Sequence, residues 1–441
     1  MTATCTWIVG EAVVDGYYRG PGEAPLVRLG GVLHAARGMA AVGRPFAVAY
    51  ISPSYLDGQV ERYALSLGAT AVVKIGDVVG CPNVVIVGSP REEGPQGYEF
   101  LLREEQQCRL DLTPLSTVVG RGTDVLLFPG GFDLQQVLGL LGQLGAAVFA
   151  DAHHGPANLG EFAALGKPLA GLILSTSSQV YLVGYGADPA RLRASTQGPI
   201  ADCVLLKENR GGSRLYIGTE QIDVQAHARR VRHSVGVGDC FDAVWVAMRE
   251  PHGDRAALAY ASFLAAEYAA TWEDRPFLAA ASGTLMIPAE EIVALNGLRV
   301  PWERRPSFTV YLAAPDFEGV DRRPIERVIE ALQYHNFSVR CPVRENGLVR
   351  PTDPAPRRLD VFQKDLSLLA GCRMVLAVLP YDDPGTLIEI GWAAAREIPV
   401  IVYDPYRRAE NLMLTELPDL VSSDLDHLIV RVFEIAARAA L

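Results

Sequence analysis

The stretch Tyr381-Asp-Asp-Pro-Gly-Thr-Leu-Ile-Glu-Ile-Gly-Trp-Ala-Ala-Ala-Arg396 follows an apolar run, Met374 to Leu379, that is typical of a buried strand. Its first residues are typical of a turn, and its leucine, isoleucines, tryptophan and alanines repeat with a helical period. The spacing predicts a strand, a turn and a helix ending before Pro399, with Glu389 in the first turn of that helix. In open α/β sheets, ligands bind at the carboxyl ends of the strands, where such turns lie.

Glu389 has two interpretations. Thr386-x-x-Glu389 has the form of a capping box, in which both side chains satisfy the first free N–H groups of a helix. However, Asp365, Asp382, Asp383 and Glu389 are four carboxylates in a short, otherwise apolar span. Grouped carboxylates raise one another's pKa, so that one can act as a nucleophile and another can carry a proton. A carboxylate that attacks C1 of a sugar performs glycosyl transfer.

Four motifs follow one another in the last part of the chain. They are Tyr311-Leu-Ala-Ala-Pro-Asp316, Lys364-Asp365-Leu366, Asp383-Pro-Gly-Thr-Leu-Ile-Glu389-Ile-Gly391 and Asn411-Leu-Met413. With these motifs, residues 307–441 resemble the nucleoside 2-deoxyribosyltransferase family and the related nucleotide N-glycoside hydrolases. The resemblance implies a small flavodoxin-like (Rossmann-like) domain with a parallel sheet.

The resemblance also implies a role for each motif. Glu389 would be the nucleophile that forms a covalent deoxyribosyl-enzyme, and Asp383 would contact the sugar or give a proton to the departing base. Asp365 would orient the sugar hydroxyls, and Tyr311 would position the nucleophile. The other substrate-binding residues would be Gly385, Asn411 and Met413. Because Asn411 and Met413 resemble residues lent to a neighbouring subunit's pocket, a homo-oligomer is expected. No cofactor is expected for this domain.

The charge and apolar composition of the chain argue against nucleic acid and membranes as binding partners. The chain has 441 residues, 40 basic and 51 acidic side chains and a net charge of −11, without a run of lysine and arginine. We therefore expect two or three domains, and neither nucleic acid nor a membrane as partner. No apolar run is long enough to span a membrane, and the N-terminus lacks a basic segment, which predicts a cytoplasmic protein. The seven cysteines are scattered, and we predict no metal site.

Residues 1–295 alternate between strand-like and helix-like runs, which predicts a doubly wound α/β domain. The predicted strands include Trp7–Val9, Phe46–Ile51, Phe100–Leu112 and Cys203–Lys207, and the predicted helices include 236–248 and 254–271.

The turn Gly236-Val237-Gly238-Asp239 carries the chemistry predicted for this half. Two glycines at a helix start let backbone N–H groups approach an anion, which the helix dipole also favours. Asp239 could accept a proton from a hydroxyl that attacks a phosphoryl group. A glycine turn followed by an aspartate that only caps the helix would have the same sequence.

Further motifs give this half a resemblance of its own. Val9-Gly10-Glu11 with Asp15-Gly16, Leu29-Gly30-Gly31, and Lys207 through Gly211-Gly212 precede the glycine turn in order. Together they resemble the PfkB, or ribokinase-like, family of sugar and nucleoside kinases. The resemblance implies Asp239 as general base and Gly236, Val237 and Gly238 as the anion hole. It places Asp15 and Gly31 beside the sugar, and Lys207, Gly211 and Gly212 near the nucleotide, with ATP and Mg²⁺ as the cofactors of an active kinase.

Several positions depart from that family's pattern. His233 stands where the family has an aspartate, Ala35 replaces an asparagine, and Ser175-Thr-Ser-Ser-Gln179 replaces an N-x-x-E motif. Asp151-Ala-His153-His154-Gly155 replaces a D-x-N-x-R motif. An active kinase and a ligand-binding domain without activity therefore both remain open.

Residues 296–306 are rich in proline and charge and are predicted to link the two domains. Arg322 and Arg323 follow at the start of the next predicted helix. They form either a solvated face or a binding site for a 5′-phosphate. A phosphate site would indicate a nucleotide substrate, and a solvated face would indicate a nucleoside.

The sequence thus predicts N-glycosyl transfer or hydrolysis on (deoxy)nucleosides or their monophosphates through Glu389, fused to a kinase-like domain. Two alternatives stay open. One is a nucleoside or sugar kinase whose C-terminal domain only binds ligand, and the other is a nucleotide sensor without turnover.

Overall fold

A computed structural model describes residues 5–18, 24–227, 229–295 and 297–439. The chain divides into two compact units. The first unit comprises Met1–Arg91 with Gln96–Arg299, and the second comprises Glu92–Pro95 with Val300–Leu441. Among the described helices, none has the length and apolar character needed to cross a membrane.

The first unit is built on a mixed sheet. Its strands are β1 Thr6–Tyr17, β2 Leu26–Gly31, β3 Phe46–Ser52, β4 Val72–Val79, β5 Val84–Val87, β6 Tyr98–Phe100, β7 Gln107–Leu110, β8 Asp124–Leu127, β9 Ala147–Asp151, β10 Gly171–Ser175, β11 Cys203–Lys207, β12 Ser213–Ile217 and β13 Glu220–Val224. The central order is β13-β12-β11-β10-β9-β8-β1-β3-β4-β7, and the strands from β11 to β4 along this path run parallel. Parallel strands of this kind place their carboxyl ends along one edge.

Helices cover this sheet and bury its apolar residues. They are α1 Val32–Val42, α2 Asp57–Ser66, α3 Thr113–Val118, α4 Leu134–Leu144, α5 Pro189–Thr196, α6 Val237–Ala269, α7 Asp274–Leu285 and α8 Ala289–Ala294. The helix α6 contains Pro251 and a non-helical Gly253, so it consists of two helical parts. The two helices predicted for this stretch, 236–248 and 254–271, agree with those parts.

The strand β1 pairs with strands of two sheets. Its first half, Thr6–Glu11, pairs in parallel with β3 in the central sheet, while Ala12–Tyr17 pairs with β2 in antiparallel fashion. Gly31 ends β2 with φ +61°, and a Cβ there would lie 2.1 Å from the Glu11 carbonyl oxygen. Only glycine fits this turn, which brings α1 back beneath the end of β1.

The second unit contains a five-stranded, entirely parallel sheet. Its strands are β14 Thr309–Ala313, β15 Ser338–Arg340, β16 Met374–Val378, β17 Val400–Tyr403 and β18 Leu420–Ser422, in the order β15-β14-β16-β17-β18. Its helices are α9 Arg323–Tyr334, α10 Pro342–Asn346, α11 Ala355–Ala370, α12 Pro384–Ala395, α13 Leu412–Glu416 and α14 Leu425–Ala439. This order is the 2-1-3-4-5 order of flavodoxin-like sheets. The predicted α/β fold class is therefore confirmed.

One local expectation differs from the structure. The predicted strand Phe100–Leu112 is two strands, β6 and β7, because Leu102 adopts a left-handed conformation and a 3₁₀ turn follows it. In the stretch predicted as a linker, Trp302 and Arg305 are buried in the second unit. The Arg305 guanidinium donates to the carbonyl oxygens of Val300 at 3.0 Å and His335 at 3.2 Å.

We predict that Arg305→Met destabilises the second unit by about 2–4 kcal/mol, because it leaves buried carbonyl oxygens without donors. Denaturant unfolding would measure the change. The exposed neighbour Arg304 offers a matched control, and Arg304→Met should change stability by less than about 0.5 kcal/mol. Equal effects of the two substitutions would contradict a structural role for Arg305.

Candidate functional site

The switch point of the second sheet carries a tyrosine and a glutamate in contact. Strand order reverses between β14, which holds Tyr311, and β16, which leads into α12 and Glu389. The Tyr311 hydroxyl donates to Glu389 Oε1 at 2.6 Å. Ligands of flavodoxin-like sheets bind at this crevice. The structure therefore brings the predicted nucleophile and its predicted positioning residue together.

Glu389 does not cap its helix. Asp383 is the N-cap residue, and its Oδ2 accepts from the Thr386 N–H at 2.8 Å and from the Thr386 hydroxyl at 2.9 Å. The helix begins at Pro384, so Glu389 lies in its second turn and not in the first. The capping-box interpretation is wrong, and the Glu389 side chain is available for other chemistry.

Burial and neighbouring charges shift the acidity of this carboxylate. Burial raises the pKa of Glu389 to about 7, the charges of Asp365 and Asp383 add to this, and the hydrogen bond from Tyr311 opposes it. The pKa of Asp365 is also raised by burial, although Asn346 donates to its Oδ1 at 2.8 Å. Burial and the Glu389 charge raise the pKa of Tyr311, which keeps its hydroxyl protonated as a donor. The group can thus hold one proton near neutral pH.

Other residues predicted for this site are placed differently. Gly385 lies in the first turn of α12, where a Cβ would approach Asp383 Oδ2 to 3.1 Å. The Asn411 side chain accepts from the Met413 N–H at 2.9 Å and caps α13. Within the described ranges, Asn411 forms no hydrogen bond to Glu389, Asp365 or Asp383. Its predicted role in a neighbouring pocket stays a prediction.

The two arginines predicted to bind phosphate are engaged in ion pairs. Arg322 lies 2.7 Å from Asp316, which also pairs with Arg344 at 2.7 Å. Arg323 pairs with Asp321 at 2.8 Å, and its side chain is 88% exposed. Carboxylates thus already neutralise both cations.

In the first unit, Asp239 lies in the first turn of α6, after a left-handed Gly236. Burial raises its pKa to about 7, the charges of Asp151 and Asp15 add to this, and Lys207 opposes it. Carboxylate oxygens of Asp151, Asp239 and Asp242 lie within 4.8 Å of one another. This site therefore also holds a proton near neutral pH.

Lys207 lies inside this carboxylate cluster. Its ammonium donates to Asp151 at 2.9 Å and to both oxygens of Asp242 at 2.8 and 2.9 Å. Although burial disfavours the ammonium, these two aspartates hold the pKa of Lys207 above its ordinary value. A Cβ built on Gly238 would lie 3.1 Å from Nζ, so the cation is beside the glycine turn.

Gly211 and Gly212, predicted near the nucleotide, shape the hairpin between β11 and β12. Gly212 has φ +99°, and a Cβ there would lie 2.3 Å from the Val224 carbonyl oxygen. The Gly211 carbonyl oxygen accepts from Arg299 at 2.9 Å. Their role toward a nucleotide stays a prediction.

Asp15 is buried in a polar network at the end of β1. It accepts from the Tyr17 hydroxyl and from His34 Nε2, each at 2.8 Å. Although burial disfavours its charge, these donors and Arg28 keep the pKa of Asp15 low. Because an ionised carboxylate only accepts, His34 carries its proton on Nε2, and Nδ1 accepts from Tyr268 at 2.7 Å.

Sequence reasoning missed the partners of the predicted residues. Asn346 and His34 lie in segments without a recognised motif, and Asp242 follows the glycine turn by three residues without a predicted role. Only Asp151, which ends a buried strand, gave a usable signal, because parallel strands bring their ends together.

The first-unit residues suit the ATP and Mg²⁺ that the kinase resemblance implies. Asp151, Asp239 and Asp242 supply the oxygen ligands that Mg²⁺ prefers, although Lys207 already pairs with two of them. The glycine turn offers N–H groups to a phosphate.

Comparison with known proteins supports the C-terminal resemblance. Residues 310–421 match the family model described as nucleoside 2-deoxyribosyltransferase, which confirms the resemblance predicted for this domain. No curated protein matches the chain significantly.

The N-terminal region matches solved structures of sugar kinases. A ribokinase from Arabidopsis thaliana complexed with ribose and ATP is 18% identical, with 65% of this chain and 100% of that chain covered and a TM-score of 0.47. A fructokinase with bound ATP from Xylella fastidiosa is 15% identical, with 64% and 98% covered and a TM-score of 0.49. The phosphofructokinase-2 from Escherichia coli in complex with potassium is 12% identical, with 64% and 99% covered and a TM-score of 0.47.

We predict that Glu389→Gln stabilises the second unit more at pH 8 than at pH 5. Since folding raises the Glu389 pKa to about 7, its contribution to stability is complete at low pH and is lost as pH rises through 7. The variant removes this loss, a difference of about 1–3 kcal/mol between the two pH values. Denaturant unfolding at both pH values would measure it. Glu397→Gln, at an exposed position, should show no such difference.

Proposed function

We propose that the second unit transfers or hydrolyses the N-glycosidic bond of (deoxy)nucleosides, with Glu389 as the nucleophile. The hydrogen bond from Tyr311 to Glu389 at the sheet's switch point is the observation that carries this proposal. This hydrogen bond holds Oε1 of the partly buried Glu389 carboxylate and leaves Oε2 free to attack the anomeric carbon of the sugar. Residues 310–421, which match the deoxyribosyltransferase model, contain both residues.

The reaction would proceed by double displacement. Glu389 attacks C1′ as its bond to the base nitrogen breaks, and the electron pair leaves with the base. Asp383 or a water molecule gives the departing base a proton; Asp383 Oδ1 makes no hydrogen bond to any described residue, whereas Oδ2 caps α12. In the second step, another base or water attacks C1′, gives up a proton and releases the carboxylate.

The ion pairs at α9 favour a nucleoside over its monophosphate. A 5′-phosphate at Arg322 or Arg323 would compete with Asp316 or Asp321, which already pair with these arginines. Asp365, held by Asn346, would accept from the sugar hydroxyls. Leu412 and Met413 are 71% and 62% exposed, as an element that completes a neighbouring subunit's pocket would be.

We predict that Glu389→Gln lowers base exchange by about 10³-fold or more, because a carboxamide cannot carry the sugar. Chromatography of a deoxynucleoside incubated with a second free base would measure both exchange and hydrolysis. Glu397→Gln should retain full activity. Activity that persists in Glu389→Gln would exclude the covalent route.

We predict that the rate rises with pH through about 7, as the Glu389 carboxylate forms, and that Tyr311→Phe moves this rise to higher pH. Loss of the hydrogen bond to a charged group, worth about 1.5–3 kcal/mol, should also lower kcat/KM by about 10- to 100-fold. The pH profile of kcat/KM in both proteins would measure these changes. An unchanged profile in Tyr311→Phe would show that the hydroxyl does not act on Glu389.

A second candidate, phosphoryl transfer to a sugar or nucleoside by the first unit, is favoured by the acidity of Asp239. A pKa near 7 beside a glycine turn suits a general base that takes a proton from the attacking hydroxyl. ATP, when bound, supplies the phosphoryl group, and Mg²⁺ would offset its charge. Lys207 keeps a positive charge beside the turn, and Asp15 would face the sugar.

For this candidate we predict ATP consumption in the presence of a pentose or nucleoside, lowered about 10²- to 10⁴-fold by Asp239→Asn. Coupled measurement of ADP would follow it. The exposed Asp202 offers a control, and neither Asp202→Asn nor Glu389→Gln should alter this activity. Ligand binding without any turnover in either unit would instead favour a nucleotide sensor.

A further inference from the structure

The first unit contains a cavity of about 520 Å³ that neither proposed reaction uses. Arg28, Arg37 and Arg275 line it together with Trp272, Glu273 and Asp274. Its size lies within the range of small-molecule sites. Three arginines and two carboxylates leave it with an excess of positive charge.

The excess positive charge of the cavity does not come from Arg37, because Arg37 is paired with Asp274. This buried guanidinium donates to Asp274 at 3.0 Å, to the Tyr63 hydroxyl at 2.7 Å and to the Leu29 carbonyl oxygen at 2.8 Å. Asp274 is therefore neutralised by Arg37 and does not repel an anion in the cavity.

Arg28 is a cation without a carboxylate partner. Its guanidinium carbon lies 5.2 Å from the ring of Tyr17, 5.6 Å from that of Tyr268 and 5.3 Å from that of Trp272. Its Nε donates to the Tyr17 hydroxyl at 3.1 Å, and its Nη2 donates to the Val235 carbonyl oxygen at 3.4 Å and lies 3.5 Å from His233 Nδ1. Among the residues that the structure describes, no carboxylate forms an ion pair with Arg28. Aromatic faces offset part of the cost of removing this charge from water, and an anion would offset more.

The start of α7 borders the same cavity. Glu273 is its N-cap residue, and no side chain accepts a hydrogen bond from the first turn at this cap. Glu273, Asp274 and Arg275 all line the cavity. Pro276 has no N–H and the Phe277 N–H donates to the Glu273 carbonyl oxygen, so the free donors of this turn are the N–H groups of Asp274 and Arg275. These two groups and the positive end of the helix dipole border the cavity that Arg28 also lines, and both attract an anion.

We propose that this cavity binds a small organic phosphate. Arg28 and the N–H groups of α7 would hold the phosphate oxygens, the exposed Arg275 would close over them, and Trp272 would pack against the organic part. A guanidinium and a helix N-terminus together suit a phosphate, which accepts several hydrogen bonds at once. Neither Asp239 nor Glu389 lines this cavity, and the proposal does not depend on either proposed reaction.

A ligand in the cavity would change the hydrogen bonds that reach Asp15. The guanidinium of Arg28 donates to Tyr17, and the Tyr17 hydroxyl donates to Asp15 at 2.8 Å. A phosphate that draws Arg28 toward the cavity would change this chain of contacts, so the site is suited to regulate ligand binding at Asp15.

The test is to titrate the full chain with ribose 5-phosphate, inorganic phosphate and ribose, by calorimetry and tryptophan fluorescence. We expect saturable binding of ribose 5-phosphate, weaker binding of phosphate, none of ribose, and loss of the fluorescence change in Trp272→Phe. Arg28→Gln and Arg275→Gln should each weaken binding at least about tenfold. Arg255→Gln, which alters an exposed arginine outside the cavity, should leave it unchanged.

Absence of saturable binding, or binding that persists in both Arg28→Gln and Arg275→Gln, would overturn the proposal. Binding that is lost in Asp239→Asn or Glu389→Gln, but kept in the two arginine variants, would assign the ligand to a reactive site and would also overturn it. If Arg28→Gln fails to fold, as judged by circular dichroism, the surface substitution Arg275→Gln decides the test.

Discussion

The second unit depends on one constraint, a carboxylate that is held out of water against a tyrosine hydroxyl. Tyr311 belongs to a central strand and cannot move without disturbing the sheet, whereas Glu389 projects from the helix that follows the neighbouring strand. The sheet register therefore sets the distance between them. The cost of burying the charge is only partly offset by one hydrogen bond, which is why the carboxyl keeps its proton up to about pH 7.

The first unit reaches a similar acidity by a different arrangement. Asp239 has no tyrosine partner, and its pKa of about 7 reflects burial next to Asp151, with Lys207 opposing. The Lys207 ammonium pairs with Asp151 and Asp242. Its charge offsets part of the negative charge of the three neighbouring aspartates. Two unrelated sites in one chain thus hold a carboxyl group that exchanges its proton near neutral pH, a property that suits catalysis in both.

The residues predicted for the second site belong to short motifs on strands and turns, which a sequence alone displays. Tyr311, Asp383 and Glu389 needed only the parallel sheet to bring them together. Glu389 was predicted one turn too early because Asp383-Pro384 competes with Thr386 as a helix start, and proline at the first helical position favours the earlier start. The contact of Asn346 with Asp365 and that of Arg344 with Asp316 join separate elements through side chains alone, which no local pattern encodes. The break after Phe100 follows from two strands joining different partners, a choice made by the tertiary structure.

The short segment Glu92–Pro95 belongs to the second unit, although more than two hundred residues separate it from Val300. Tyr334 donates to Glu92 at 2.8 Å, and Arg327 pairs with Glu93. During synthesis this segment emerges long before the helix α9 that it contacts, so it stays without these partners until the second unit has been made. A fragment that begins at Val300 would therefore lack the contacts that Glu92 and Glu93 make with Tyr334 and Arg327.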